Sequence, residues 1–518
     1  MSRSSRLVGA AALCAFGVAL MWPAFFNGQP IFFGDTSAYI RGADAGVQAF
    51  FHRRSAWSLS GADAIVPGSS PVRREAAPGS QRHGSSIAEK SVVSGRSPYY
   101  GAILYLGDLI GGFWLSIAVQ AAAVVLSIVL VCRAVGAVLS PRMVAVGAVL
   151  AAATTAPFFV SFLEPDVFAG VAVLTCAALL GGADRLRRLE LAAACALLFV
   201  CVVVHESHVL IVGVLLVLGL LGRFLTRPLT PRWVSLGILT AAVGVAAAAS
   251  LLFGAAVKHV IGAPPLRPPF LMARMIDDGP GYRYLRTSCP GSGFTVCAYL
   301  DRLPVAANLF LWDPGPHGVF SAVSPAVRRQ LAAEQTRFVL AVLRHEPWAE
   351  IGHALRNAGL QLTMAGLDEF RYPPGLKRDF AASIPREPLA RMRRTAAYRG
   401  TMPIALFSVV TLTTFALGTA IVLIALLWPA WRRRLPPRLV AVAIWTLAGV
   451  LINGAVCGML SGPHNRYAAR VSWVMPAVAL FIALATLARW SPGREQERER
   501  ERRRRDDCAI EPPLAPPA

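Results

Sequence analysis

Charge is scarce in this chain: only 15% of its 518 residues are Asp, Glu, Lys or Arg, against about 25% in ordinary soluble domains. Acidic residues are the scarcer sign, 29 against 51 Lys and Arg. A soluble enzyme is excluded, because 55% of the residues are apolar and gather in long Ala/Val/Leu runs without an ionisable group. Each run can cross a hydrocarbon core of about 30 Å as a helix of about 20 residues. A Walker A loop, a dinucleotide fingerprint and a G-x-S-x-G elbow are missing from any plausible context. The missing phosphate loop argues against an ATP-driven pump. Polar cysteines are few as well. Cys14, Cys132, Cys176, Cys195, Cys201 and Cys457 lie in apolar runs as small hydrophobes, Cys508 is in the tail, and only Cys289 and Cys297 share a long polar loop.

What is present is a series of apolar runs near 7–26, 113–132, 143–162, 167–183, 189–204, 209–222, 233–256, 403–428, 439–460 and 471–489. The first follows Arg3 and Arg6 as a signal peptide does, but Trp22, Pro23, Phe25 and Phe26 stand where small residues would mark cleavage. A retained span is expected. The stretch 189–222 would run about 51 Å as one helix, overshooting the membrane, so the break at His205-Glu206-Ser207-His208 is read as a turn between two short spans. With the N-terminus inside, four Arg-rich loops share the cytoplasmic side with the basic tail. They hold Arg133 and Arg142; Arg185, Arg187 and Arg188; Arg223, Arg227 and Arg232; and Arg432, Arg433, Arg434 and Arg438. Positive-inside bias therefore accounts for the net charge of +22, and no nucleic-acid partner is called for.

The expected fold class is all-α, a polytopic transmembrane bundle of about ten spans in a lipid bilayer with a mostly helical extracytoplasmic domain. Residues 1–256 hold spans 1–7, 257–402 the extracytoplasmic domain, 403–490 spans 8–10, and 491–518 a basic cytoplasmic tail. In the long outer loop 27–112, the stretch 52–97 has too little apolar content to pack and is expected to be disordered. Ser97-Pro98-Tyr99-Tyr100 then opens an interfacial helix ending near Gly112. In the second long segment, 324–367 has an amphipathic pattern with Phe338, Leu340, Leu343, Trp348, Ile351 and Leu355 on one buried side. Cys289 and Cys297 are eight apart, close enough for a disulfide in an oxidising compartment.

Ionisable groups at membrane depth cost several kcal/mol unless paired or set in a polar cavity. Here they gather in four outer turns: Asp35 with Tyr39 and Arg41, Glu164 with Asp166, His205-Glu206-Ser207-His208, and His464-Asn465-Arg466-Tyr467 with Arg470. One shared cavity is expected. Each turn has a plainer reading. Asp35 and Asp166 suit helix N-caps. His205 and His208 sit three apart, not at the H-E-x-x-H zinc spacing, which leaves a divalent metal open and a substrate-lining role for His205, Glu206 and His208 better favoured. Arg466 and Arg470 defy positive-inside bias, which fits either headgroup snorkelling or an anionic ligand.

Gly34-Asp35-Thr36-Ser37-Ala38-Tyr39, Glu164-Pro165-Asp166, the large loop after span 7 and Asn465-Arg466-Tyr467 together resemble the GT-C superfamily of polyprenyl-phosphate-sugar-dependent membrane glycosyltransferases. The resemblance implies a polyprenyl-phosphate-linked sugar as donor, an extracytoplasmic acceptor and a bacterial inner-membrane setting; the even number of spans, with the Arg-rich loops inside, puts both termini on the cytoplasmic side. It makes Asp35 the catalytic carboxylate, Glu164 or Asp166 a second acid, and Arg466 with Arg470 a phosphate clamp. Tyr39, Arg41, His205, Glu206, His208, His464 and Tyr467 become candidate substrate contacts. Many relatives have two adjacent acids in the first loop, whereas here Asp44 follows Asp35 only nine residues on. Two other classes fit the spans: a transporter or assembly factor for lipid-linked glycans, and an O-antigen-polymerase-like or acyl-transferring enzyme with His205 or His208 as base.

Overall fold

A computed structural model describes residues 3–59, 92–137, 141–225 and 231–487. The described residues are helical throughout, without a strand; two isolated bridges join Ile31 to Phe162 and Val93 to Leu266. Seven helices are long and apolar enough to cross a membrane: Trp114–Val135, Val167–Arg185, Glu206–Phe224, Trp233–Ile261, Ile404–Leu427, Pro437–Leu460 and Asn465–Leu487. The other three apolar runs are helical but shorter. The first breaks before Pro23 into Arg3–Ala19 and Trp22–Asn27, and the third breaks at Thr154-Thr155 into Pro141–Ala153 and Ala156–Val160. Proline in the first turn explains both restarts, since its missing N–H costs nothing there. Arg188–Val204 has 17 residues.

Val167–Gly182 is the central helix, buried on nearly every side and correspondingly without a polar stripe. Its neighbours approach closely where it or they lack a Cβ. A methyl at Gly170 would stand 2.5 Å from the Trp473 indole nitrogen, and one at Gly449 would stand 2.6 Å from a Val173 methyl.

The chain reverses at His205, whose backbone is extended between Arg188–Val204 and Glu206–Leu225. Ser207 then reaches Arg470, while Gly219 packs near Leu180 at the far end of the central helix. That far end also carries the ion pairs Arg133–Glu190 (3.2 Å) and Arg438–Asp184. Three of the Arg-bearing turns assigned to one side by charge therefore do share one end of the bundle.

A second apolar core, centred on Met272, Ile276, Leu285, Phe310, Phe320, Leu331 and Phe338, holds the segment after Trp233–Ile261 as a separate helical unit. The Cys289–Cys297 disulfide lies in it, with the Cα atoms 5.6 Å apart. The single amphipathic face expected over 324–367 is corrected. Pro347 divides it into Pro325–His345 and Pro347–Thr363, and the helical phase resets at the break. Leu331, Phe338 and Val342 are buried, whereas Leu340, Trp348, Ile351 and Leu355 are exposed.

Most of 52–97, and the tail 491–518, lie outside the described residues. The described ends of 52–97 are packed, contrary to the composition argument. Trp57 is buried and donates to Asp108 Oδ2 (2.8 Å), and Ser55 donates to Asp44 (2.6 Å). At the other end, Ser94 N donates to the Leu266 carbonyl (2.8 Å) and Leu266 N to the Val92 carbonyl (2.7 Å).

Candidate functional site

Chain-distant turns meet at the end of the central helix opposite the exposed Arg-rich turns. Ile31 N donates to the Ser161 carbonyl (2.8 Å) and Leu163 N to the Ile31 carbonyl (2.9 Å), which sets the approach to Asp35 beside the Glu164-Asp166 turn. Thr36 Oγ1 closes the joint, donating to the Leu163 carbonyl (3.0 Å) with Glu164 Oε1 3.4 Å away. Tyr39 is buried edge-on to Tyr100 (5.1 Å), whose hydroxyl donates to Gln120 Oε1 (2.7 Å). Gln120 Nε2 in turn holds the Val160 and Phe162 carbonyls (2.8 and 2.9 Å). A buried amide thus locks the acidic turn from below, as a fully satisfied polar network can.

Asp35 and Asp166 both occupy N-cap positions, and neither carboxylate makes a cap bond. The plain capping reading fails for both. Asp35 instead faces Arg96, at 2.6 Å, with each side chain 28% exposed. Arg96 stands between two anchors, the Ser94–Leu266 pairing and Ser97, whose hydroxyl donates to the Val203 carbonyl (2.6 Å).

Asp166 is buried between two guanidinium groups, Arg470 Nη1 3.0 Å from Oδ1 and Arg466 Nε 3.4 Å from Oδ2. Arg470 is fully buried and fully engaged. Its Nε and Nη2 donate to Asn453 Oδ1 (3.2 and 2.9 Å), and Nη2 also lies 3.0 Å from Ser207 Oγ and from Cys457 Sγ. It therefore knits four segments together, and each of its three guanidinium nitrogens already has a partner within the protein. Arg466 differs. Its guanidinium lies 4.5 Å over the Phe33 ring and 5.3 Å over Tyr467, and its buried Nη1 has no hydrogen-bond partner among the described residues. A buried, unpaired donor on a cation is costly unless a ligand completes it.

Glu164 is buried. Burial first, and then the nearby Asp35 carboxylate, hold its carboxyl well above the usual carboxylate range, against the opposing pull of Arg466 and Arg96. Glu164, Asp35, Asp166, Arg96 and Arg466 thus lie within electrostatic reach of one another.

Of the other expected members, Glu206 and Arg41 lie apart, whereas His205, His208, His464 and Tyr467 border the cluster. Glu206 points outward, 79% exposed, with Arg267 3.9 Å away. Arg41 donates to the Ser383 carbonyl. His205 Nδ1 faces the Ser207 hydroxyl (2.8 Å), and buried His208 bonds through Nδ1 to the Cys201 carbonyl (2.8 Å). His464 is held by its backbone, in a reciprocal pair with the Gln361 amide (2.9 and 2.8 Å), and its ring meets Tyr467 edge-on. The Tyr467 hydroxyl lies 3.0 Å from Ser461 Oγ. No group of three His, Cys, Asp or Glu among the described residues is placed to hold a metal.

The convergence expected of the turns is present as a network of ion pairs and hydrogen bonds. Solvent reaches it chiefly at Asp35 and Arg96, and cavities of about 550 and 340 Å³ lie elsewhere. Arg96, Gln120 and Asn453 are the members missed in the sequence. Gln120 and Asn453 were detectable, as polar residues inside apolar runs; Arg96 was hidden in a stretch of unpackable composition. Comparison with known proteins finds no matching family model, no matching curated protein and no matching solved structure.

Proposed function

We propose that this protein is an inverting membrane glycosyltransferase that moves a sugar from a polyprenyl phosphate to a hydroxyl acceptor at the extracytoplasmic face. In this reading the Arg-rich end is cytoplasmic, both termini lie on that side, and the disulfide-bearing unit stands outside. The supporting observation is the cluster itself: a part-exposed carboxylate, Asp35, beside a raised-pKa carboxyl, Glu164, and a cation, Arg466, with an unmatched donor. Asp35 takes the acceptor O–H proton as that oxygen bonds to the anomeric carbon. The bond from that carbon to the phosphate oxygen breaks, its electron pair leaves with the phosphate, and Arg466 with Arg96 stabilises the charge. General-base assistance of this kind contributes roughly 10²–10⁴-fold. Arg470 and Asp166 act as the frame that aims Arg466.

The test is transfer from a radiolabelled polyprenyl-phosphate hexose in proteoliposomes. Asp35→Asn is expected to abolish label transfer at unchanged membrane level and melting temperature; transfer at the wild-type rate would overturn the reading. A non-catalytic glycan transporter is favoured by one observation, that Asp35 is already paired with Arg96. In that case Asp35→Asn leaves transport intact.

A further inference from the structure

The cavity of about 550 Å³ lies away from the acidic cluster, between Gln29, the 108–112 turn and the segment carrying Arg391 and Arg394. Its walls are tied in advance: Asn27 Nδ2 donates to the Gln29 carbonyl (2.8 Å), and Asn27 Oδ1 accepts from Ala397 N (2.9 Å). Arg391 and Arg394 are exposed, and neither has an ion-pair partner among the described residues. Gln29 Nε2 is buried without a hydrogen-bond partner among the described residues. Asp108 lines the same cavity, and one of its oxygens holds the Trp57 indole N–H. The rim is apolar: Leu109 and Ile110 are 62% and 71% exposed, at the end of the helix Pro98–Gly111 that leads into the spanning helix Trp114–Val135. Phe25, also exposed, stacks on Trp114 at 5.1 Å, the kind of aromatic pair found at headgroup depth.

Two guanidinium groups, one carboxylate and an apolar edge match the charge order of a single ligand. We propose that this cavity holds the headgroup of an ethanolamine glycerophospholipid, with its phosphate between Arg391 and Arg394, its ammonium at Asp108 and its chains along Leu109 and Ile110. Arginine forks suit phosphate oxygens, and the orphan Gln29 amide adds a donor. An anionic glycerol headgroup would satisfy the arginines but leave Asp108 with like charge nearby. A choline headgroup has no N–H to give the carboxylate. The site stands independently of sugar transfer and needs only a membrane setting.

The experiment is native mass spectrometry of the detergent-purified full chain with phosphatidylethanolamine, phosphatidylglycerol and phosphatidylcholine of identical acyl chains. Phosphatidylethanolamine is expected to be retained best. Arg391→Gln with Arg394→Gln is expected to lower its retention about tenfold or more, the effect of losing one charge-assisted hydrogen bond. Both positions are exposed, so the fold is expected to tolerate the change. Asp108→Asn, which keeps an acceptor for Trp57, is expected to bring phosphatidylethanolamine down to the phosphatidylcholine level. Equal phosphatidylethanolamine retention by wild type and the double variant overturns the proposal. So does phosphatidylglycerol retained as well as phosphatidylethanolamine by the wild type. Water-soluble O-phosphoethanolamine is expected not to displace the lipid; displacement at similar concentration would assign the site to a soluble ligand and overturn the lipid.

Discussion

The central helix Val167–Gly182 has an Asp–Arg pair at each end, and the two differ in what surrounds them. Asp166 and Arg470 are 3% and 0% exposed, and Asn453, Ser207 and Cys457 hold the arginine beside the aspartate. Asp184 and Arg438 are 32% and 38% exposed, in turns that water or headgroups can reach. The same chemistry is a structural keystone in one place and a minor surface contact in the other. A buried pair carries a desolvation cost that only complete hydrogen bonding offsets, so removing one partner strands the other. A half-exposed pair gains and loses little.

Four measurements sharpen or break that contrast. Arg470→Ala is expected to be the most damaging, destabilising the protein by about 3–5 kcal/mol because Asp166 keeps its charge without its main partner; thermal unfolding in detergent and yield of folded protein report it. If Arg470→Ala melts like wild type, the keystone role is wrong. Gly170→Ala is next, since the added methyl meets the Trp473 indole at 2.5 Å. Overpacking of this kind is expected to cost about 1–3 kcal/mol on the same melting assay.

The helix Pro347–Thr363, packed between the separate unit and the spanning helix Pro437–Leu460, offers a third environment. Glu350 is buried, and burial followed by the neighbouring Asp278 lifts its carboxyl to about 7. A raised carboxyl pKa means that the folded state holds the proton more tightly. Its contribution is fully present below the ordinary value of 4.5 and is lost as pH climbs through about 7. Melting temperature is expected to decline across that window, and Glu350→Gln to flatten the decline; an unchanged slope in the variant counts against the assignment. The smallest effect is expected from Arg438→Ala, under about 1 kcal/mol and shrinking further with added salt. A loss as large as that for Arg470→Ala would erase the distinction between the two ends.

The legibility of the molecule follows the same division. Apolar runs and loop arginines are local, high-contrast signals, so the helices, the reversal at His205 and the shared end of Arg133, Asp184 and Arg438 could be read directly. Helix breaks were less legible, because Pro23, Pro157 and Pro347 stop a helix only by a residue or two of phase, which hydropathy averages away. The convergence of Asp35, Glu164, Asp166 and the Arg466 turn was legible as a set of misplaced charges. Their partners were not. Asp35 looks like a cap until Arg96, 61 positions on, is seen beside it, and Arg466 and Arg470 look alike until their environments separate them.

Composition and periodicity alone determined that this chain is a helical bundle with the dimensions of a membrane, and which turns hold its few acids. Both follow from backbone hydrogen bonding and the free energy of apolar transfer, which act residue by residue. Only the tertiary structure decided which arginine is spent on the frame and which keeps a free donor. That depends on whether Asn453 and Cys457 on the preceding helix and Ser207, 263 positions away, arrive within about 3 Å of a guanidinium, a result of tertiary packing.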